Sequence, residues 1–385
     1  MVALQPEYAF VVVEPLGDVN MSRHLISLID GTMVSASQAA GFASYSNVYE
    51  LGYLLQLRDT SEDGKPQVVF YTSGISSQPG TRDAISLITG NPIYSQIVDQ
   101  YTNICANYDF SEKDEAKKDK IYIFGFSRGA MAARALAGLI CTYGLLKPGD
   151  IRAAPAVVAA WQQRRNAPDE IELHEAGVEF IGVFDSVMGG IEGMKMFNPI
   201  RFPDGLVPSG CKHAIQILAI DEDRRFFKPK IWEGRMDCPM GEGKCGYRQI
   251  WMPGVHSDVG GTGNTVWGRA AMLTMMHYID TWTQLTLDKE WRTRKEKNLR
   301  KSIKENMIFV ERHRPFSPFR MSRAPSSAAD TAECYHPIVD FVKRWNVDGK
   351  ANYDWKTKEF DARFKTLTSR EVEPGLYDYF EGILK

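Results

Sequence analysis

Short, nearly continuous apolar runs alternate with amphipathic segments through the first two thirds of the chain. "RHLISLID" (23–30), "PQVVFYTSGI" (66–75), "KIYIFGFS" (120–127) and "GVEFIGVFDSV" (177–187) read as strands. "YRQIWMPGVHSDVGG" (247–261) reads as a further strand that runs into a Gly-rich turn. Between them lie helical patterns: "SNVYELGYLLQL" (46–57), capped by Ser46 or Asn47, and "NPIYSQIVDQYTNICANY" (91–108). The second has one apolar face, Ile93, Ile97, Tyr101, Ile104 and Tyr108, at helical spacing. "IRAAPAVVAAWQQRRNAPDE" supplies another helix. "HAIQILAIDEDRRFFKPKIW" (213–232) fits either element and is read here as helix.

Strands without polar alternation are buried on both faces, and strands that alternate with helices pair in parallel. The expected fold class is therefore α/β: a mostly parallel central sheet with helices on both faces. In such sheets ligands bind beyond the carboxyl ends of the strands. Catalytic residues are therefore expected at those ends.

"YIFGFSRGAMAARALAGLI" (122–140) places Ser127 at one of them. Gly125, Ser127 and Gly129 fit GxSxG, with a strand before and a helix after. That is the context a nucleophile elbow requires. Small flanking residues let strand and helix approach, and the serine hydroxyl then stands above the sheet. The helix starts at once, so its N-terminal dipole faces any developing oxyanion. The backbone N–H of Arg128 is the natural first donor. The structural alternative is a serine that merely caps a buried helix.

A serine nucleophile needs a base and an orienting acid, in the order Ser, Asp, His for this architecture. Asp185 ends the strand that follows the nucleophile, and Asp221 in "LAIDED" is a rival acid. His256 follows the last strand in a loop with Gly254, Gly260 and Gly261. The other six histidines lack such a setting. Asp258 reads as a loop-holding residue. "LIDGTM" places Gly31 and Thr32 after the first strand, where a second oxyanion donor belongs. Asp30 beside them fits either a supporting role or an Asx turn that satisfies the loop's own N–H groups.

These motifs also resemble a family. "IDGT", "IYIFGFSRGAMAARALAGLI", "FIGVFDSV", "LAIDEDRRFFKPKIW" and "IWMPGVHSDVGG" stand in the order found in the catalytic domain of type VI secretion phospholipase effectors and their relatives. The resemblance covers about residues 23 to 265. It implies an α/β-hydrolase-like fold, a triad of Ser127, Asp185 and His256, and glycerophospholipid substrates. "VFDSVMGG" departs from the family pattern, with Phe184 and Ser186 where Trp and Thr are expected. "YTSGIS" departs from its usual acidic, proline-containing version.

Three functions stay open at this level. The first is hydrolysis of a lipid or phospholipid acyl ester through an acyl-enzyme. The second is hydrolysis or acyl transfer on a soluble ester or lactone. The third is a catalytically inactive binding module of the same fold. None requires a cofactor or a metal. The six cysteines form no CxxC and read as reduced thiols. Cys238 and Cys245, in a Gly-rich loop, are a weak candidate for a disulfide or half a metal site.

With 44% hydrophobic and 24% charged residues, the chain can build a large core. A net charge of −2 gives no reason to expect nucleic acid as a partner. No segment is apolar enough to span a bilayer. "MVALQPEYAFVVVEPLG" has no basic leader or cleavage site, so the expectation is a cytoplasmic protein or export without a cleavable signal peptide.

After about residue 265 the character changes. The expected division is a catalytic core over 1–264 and an appended helical or cap region over 265–385, packed on the core. "RAAMLTMMHYIDTWTQL" reads as a Met-rich helix that belongs to the core more readily than to a lipid groove. The basic run from Arg292 to Lys304, with Trp282 and Trp291 nearby, could make peripheral membrane contact. A solvated face laced with ion pairs is the simpler reading.

Overall fold

A computed structural model describes residues 22–31, 45–55, 64–74, 91–188, 205–235, 246–262, 265–305, 323, 331–340 and 374–384. Seven strands form one sheet in the order β2-β1-β3-β4-β6-β8-β9, and every neighbouring pair is parallel. They are β1 (His24–Ile29), β2 (Gln67–Thr72), β3 (Lys120–Phe126), β4 (Val178–Phe184), β6 (Cys211–Ala219), β8 (Gly246–Met252) and β9 (Glu333–Tyr335). Two short strands, β5 (Leu206–Val207) and β7 (Gly234–Arg235), pair beside it.

Both faces are covered, as unbroken apolar strands require. One face holds α2 (Asn91–Asn107), α3 (Ser127–Tyr143) and α4 (Ala154–Gln162) against Leu25, Ile29, Ile121 and Ile123. The other holds α1 (Asn47–Leu54), α6 (Val266–Trp282) and α8 (Pro374–Leu384) against Ile26, Leu28, Tyr122 and Phe124. Successive residues of β1 and β3 thus enter different cores, the period-two consequence of a pleated strand. This is the α/β-hydrolase-like, doubly covered parallel sheet expected from the sequence. The Met-rich helix is α6, and Met272, Met275 and Met276 are fully buried in the core.

Residues 213–232 correct the helical reading. They begin within strand β6, which lies between β4 and β8 near the middle of the sheet. Ala214, Ile215, Ile217, Leu218 and Ala219 are all fully buried. A short apolar run has no periodicity that separates strand from helix, and two pairing partners decide it. The chain then leaves the sheet, with a single 3-10 turn at Arg225–Phe227.

Elements on both sides of residue 265 share one apolar cluster and one sheet, because β9 pairs with β8 and α6 packs beneath it. The helix α7 (Lys289–Lys304) carries the basic run. Several of its cations have protein partners: Lys295 pairs with Glu50 at 2.6 Å, Arg292 with Asp280, and Arg300 with the carbonyl oxygens of Gly382 and Ile383. Trp282 packs on His213 and Tyr278. These contacts fit the reading of an ion-paired helix face. Among the described residues, no helix is long and apolar enough to cross a membrane.

The chain moves from β1 to β2 on one side and then to β3 on the other. In doubly wound sheets such a reversal marks the ligand-binding end, beyond the carboxyl ends of β1 and β3.

Candidate active site

Ser127 stands at this end of the sheet. It follows β3 directly and opens α3, with φ of 59°. A non-glycine residue rarely adopts this left-handed conformation, which costs about 1–2 kcal/mol. Here the packing on both sides imposes it. A Cβ on Gly125 would lie 2.6 Å from the carbonyl oxygen of Gly129, and one on Gly129 would lie 2.4 Å from those of Ile29 and Asp30. Both glycines are therefore steric requirements of a sharp strand-to-helix turn. Ser127 does not cap its own helix: Phe126 holds the cap position, without a side-chain hydrogen bond. The reading of Ser127 as an N-cap is thereby set aside.

His256 opens the short helix α5 (His256–Val259) four residues after β8. Its Nε2 lies 2.8 Å from Ser127 Oγ, and its Nδ1 lies 2.6 Å from Asp185 Oδ2. An ionised carboxylate only accepts, so Nδ1 carries the proton and Nε2 accepts from the serine hydroxyl. The ring is wedged between Phe126 and Phe227, with centroids 4.8 and 4.9 Å away. Its backbone N–H donates to Glu222 Oε2 at 3.2 Å.

Asp185 follows β4 and has φ of 44°. Its N–H donates to the Ile217 carbonyl, and its Oδ1 accepts from the N–H of Ala219, so the end of β6 grips it twice. Arg323 forks the same carboxylate, with Nη1 2.6 Å from Oδ1 and Nη2 2.9 Å from Oδ2. Burial alone would raise the Asp185 pKa, but Arg323 and His256 outweigh it and hold the carboxyl below its usual range. Burial pushes the His256 pKa below its ordinary 6.5, and Arg323 adds to this, while Asp185 and Glu222 oppose it. The imidazole is accordingly neutral near pH 7.

The rival acid is elsewhere. Asp221 Oδ2 accepts the N–H of Gly254 at 2.7 Å, and its own N–H donates to the Gly254 carbonyl. It pins the loop before His256 and does not meet the ring. Asp258 Oδ2 accepts the N–H of Val255 at 2.9 Å and closes the first turn of α5, a loop-holding role.

Gly31 corrects one expectation. Its N–H donates to Asp30 Oδ1 at 2.8 Å, so it is engaged within its own turn rather than offered as an oxyanion donor. The glycine is needed for another reason: a Cβ there would lie 2.7 Å from Phe126 and 3.0 Å from Ser127 Cβ. Asp30 is a loop anchor, whose Oδ2 accepts from Ser46 Oγ at 2.6 Å and Tyr71 Oη at 2.8 Å. Burial raises the Asp30 pKa despite these bonds. Thr32, Cys238 and Cys245 lie outside the described residues. Among those described, no three His, Cys, Asp or Glu side chains gather as a metal cage.

Sequence reasoning missed Arg323, Glu222, Ser46 as an Asp30 partner, and Tyr71. Arg323 sits in "RHRPFSPFRMSRAP", where nothing distinguishes one arginine from the others. Glu222 follows β6 in "DED" and had a positional signal only once β6 is a strand.

The comparisons with known proteins meet this geometry. The family model described as "T6SS, Phospholipase effector Tle1-like, catalytic domain" matches residues 23–280. The chain belongs to this family. It is also 28% identical over 243 residues to the Saccharomyces cerevisiae protein YEL023C. That match covers 56% of this chain and 33% of the yeast protein, so the chain spans about a third of the length of this curated relative. A crystal structure of a Pseudomonas aeruginosa protein is similar at 19% identity with a TM-score of 0.42, covering 70% of this chain and 47% of that one. A Tle1 effector, solved bound to the VgrG spike of a type VI secretion system, is similar at 21% identity with a TM-score of 0.35. The coverage there is 63% of this chain and 51% of the effector.

Proposed function

We propose that this chain is a serine hydrolase that cleaves carboxylic esters of glycerophospholipids through an acyl-enzyme. The observation that carries the reading is the hydrogen-bond relay from Ser127 through His256 to Asp185. Family membership favours the lipid substrate.

In this mechanism Ser127 Oγ attacks the carbonyl carbon while His256 Nε2 takes its proton. Asp185 holds the tautomer and stabilises the imidazolium. The tetrahedral oxyanion is held by the N–H of Arg128, in the first turn of α3, where N–H groups lie beyond the helix's own hydrogen-bond ladder. Thr32 is the candidate for the second donor. The intermediate collapses, and the leaving alcohol departs with the proton from Nε2. Water then attacks the acyl-enzyme by the same route and releases the fatty acid. The serine, the acid and the base all lie within residues 1–264, and the region from 265 shares their sheet and apolar cluster.

A soluble ester or lactone is the alternative substrate. Acyl transfer differs only in which alcohol reaches the acyl-enzyme. A binding module without turnover is the alternative of a different class, and the intact relay argues against it. Export without a cleavable signal peptide is consistent with membership of an effector family.

The test is fatty-acid release from phospholipid vesicles, short aryl esters and triglycerides, together with labelling by a fluorophosphonate probe. Ser127→Ala is the control. Release from phospholipid that disappears in the control supports the reading. Labelling equal in wild type and control removes Ser127 from the mechanism. Turnover confined to short esters transfers the reading to the soluble substrate.

A further inference from the structure

Asp185 has a second buried partner that a Ser-His-Asp relay does not itself require. Arg323 reaches both carboxylate oxygens, and the two side chains are 2% and 0% exposed. The same guanidinium donates to the carbonyl oxygens of Ala219, at 2.7 Å, and Phe227. Ala219 ends β6 and also donates its N–H to Asp185 Oδ1. Phe227 packs edge-on against the His256 ring. One guanidinium therefore ties together the acid, the strand end that grips the acid, and the loop beside the base.

Stability alone does not account for such a pair. Removing two charges from water costs about as much as their attraction returns, and apolar residues of similar volume often do as well or better. What a forked arginine provides instead is orientation. Two parallel N–H···O bonds fix the plane of a carboxylate, which a single donor cannot do. Asp185 needs that plane, because Oδ2 must meet Nδ1 while Oδ1 stays on Ala219.

We propose that Arg323 is a positioning residue of this active site, fixing the orientation and the charge of Asp185 from outside the 23–280 span that the family model matches. The proposal rests on the serine-hydrolase reading. It places the completion of the site 138 positions along the chain from the acid it serves.

The role has an electrostatic signature. Among the described residues, the charged groups that act on His256 are Asp185, Glu222 and Arg323, and Arg224 is paired to Glu222. The two carboxylates favour the imidazolium, while Arg323 and burial disfavour it. A neutral residue at 323 removes a cation that opposes protonation of His256. It also removes the cation that keeps Asp185 ionised. Both changes move the loss of activity at acid pH in the same direction, upward. A purely structural role would leave that limb in place.

The experiment compares Arg323→Met and Arg323→Lys with wild type, using the ester or phospholipid that wild type turns over best. Thermal melting establishes folding, and kcat, KM and the pH profile of kcat/KM are measured. Arg323→Met is expected to lose roughly 100-fold in kcat with little change in KM, the scale of a misplaced catalytic group. Its acid limb should move to higher pH. Arg323→Lys keeps the charge but not the fork. It should hold the limb near wild type and recover only part of kcat.

Folded variants with wild-type kcat and pH profile overturn the proposal. So does a loss of kcat in both variants with the acid limb unmoved, because that is the pattern of a structural residue. If Arg323→Met does not fold, Arg323→Gln replaces it as the neutral variant and is read the same way: an acid limb that stays at its wild-type pH overturns the role, and a lowered kcat with the limb moved to higher pH supports it. A wild type that neither turns over nor labels with fluorophosphonate more than Ser127→Ala fails the underlying hydrolase reading, and the positioning role falls with it.

Discussion

Ser127 and Asp185 are the residues immediately after the adjacent parallel strands β3 and β4, and both hold positive φ, 59° and 44°. Only two other non-glycine residues among those described do so, Arg164 and Ala332. Strain of this kind persists only where the surroundings over-determine it, and it gathers at functional sites. Here it aims two side chains from neighbouring strand ends at one imidazole.

The strain at Ser127 separates activity from stability. Ser127→Ala should abolish ester turnover, by roughly 10⁴-fold or more, while leaving the fold intact. Ser127→Gly should be equally inactive. It should also be more stable than Ser127→Ala by about 1 kcal/mol, because glycine meets no penalty at positive φ. Paired denaturant titrations read this difference. Equal stabilities for the two variants would show that the turn is not strained.

The two candidate acids should part cleanly. Asp185→Asn leaves His256 in the wrong tautomer and should lower kcat by roughly 10⁴-fold. It also strands Arg323, so stability should fall by about 3–5 kcal/mol, the cost of breaking a buried pair. Asp221→Asn can still accept the N–H of Gly254 and should keep most turnover. Steady-state kinetics on the two folded variants decides the matter, and a reversed order would transfer the acid's role to Asp221.

The pH dependence follows from the lowered His256 pKa. The base works only when neutral, so activity is lost as pH falls through its pKa in the fold. Burial lowers that pKa, Arg323 adds to the shift, and the midpoint of the acid limb of kcat/KM should lie below 6.5. A limb centred above 6.5 would mean that Asp185 and Glu222 outweigh burial.

Gly129 is the steric hinge of the elbow. Gly129→Ala forces a Cβ to 2.4 Å from two carbonyl oxygens at the end of β1. Overpacking of this kind costs about 1–3 kcal/mol. Because α3 can relieve it only by backing away from β1, Ser127 must shift as well. The variant should therefore lose both stability and kcat. Unchanged kinetics in a destabilised protein would separate helix packing from nucleophile placement.

Much of this protein was legible in the sequence alone. The alternation of buried strands and helices determined a parallel sheet with two covered faces. The serine between Gly125 and Gly129, with Asp185 and His256 after later strands, determined the order and place of the candidate relay. These are local signals: periodicity, strand ends and small residues at a sharp turn. What the tertiary structure decided depends on partners far apart along the chain. Residues 211–219 are a central strand because β4 and β8 flank them, although their apolar run fits a helix equally well. Asp185 and not Asp221 meets the imidazole because β6 grips the first and the His256 loop occupies the second. The N–H of Gly31 is directed to Asp30 by its own turn. Arg323 reaches Asp185 across 138 positions, and no local pattern encodes a contact of that range. Periodicity reports which face of an element is buried, and only the assembled sheet fixes what that face meets.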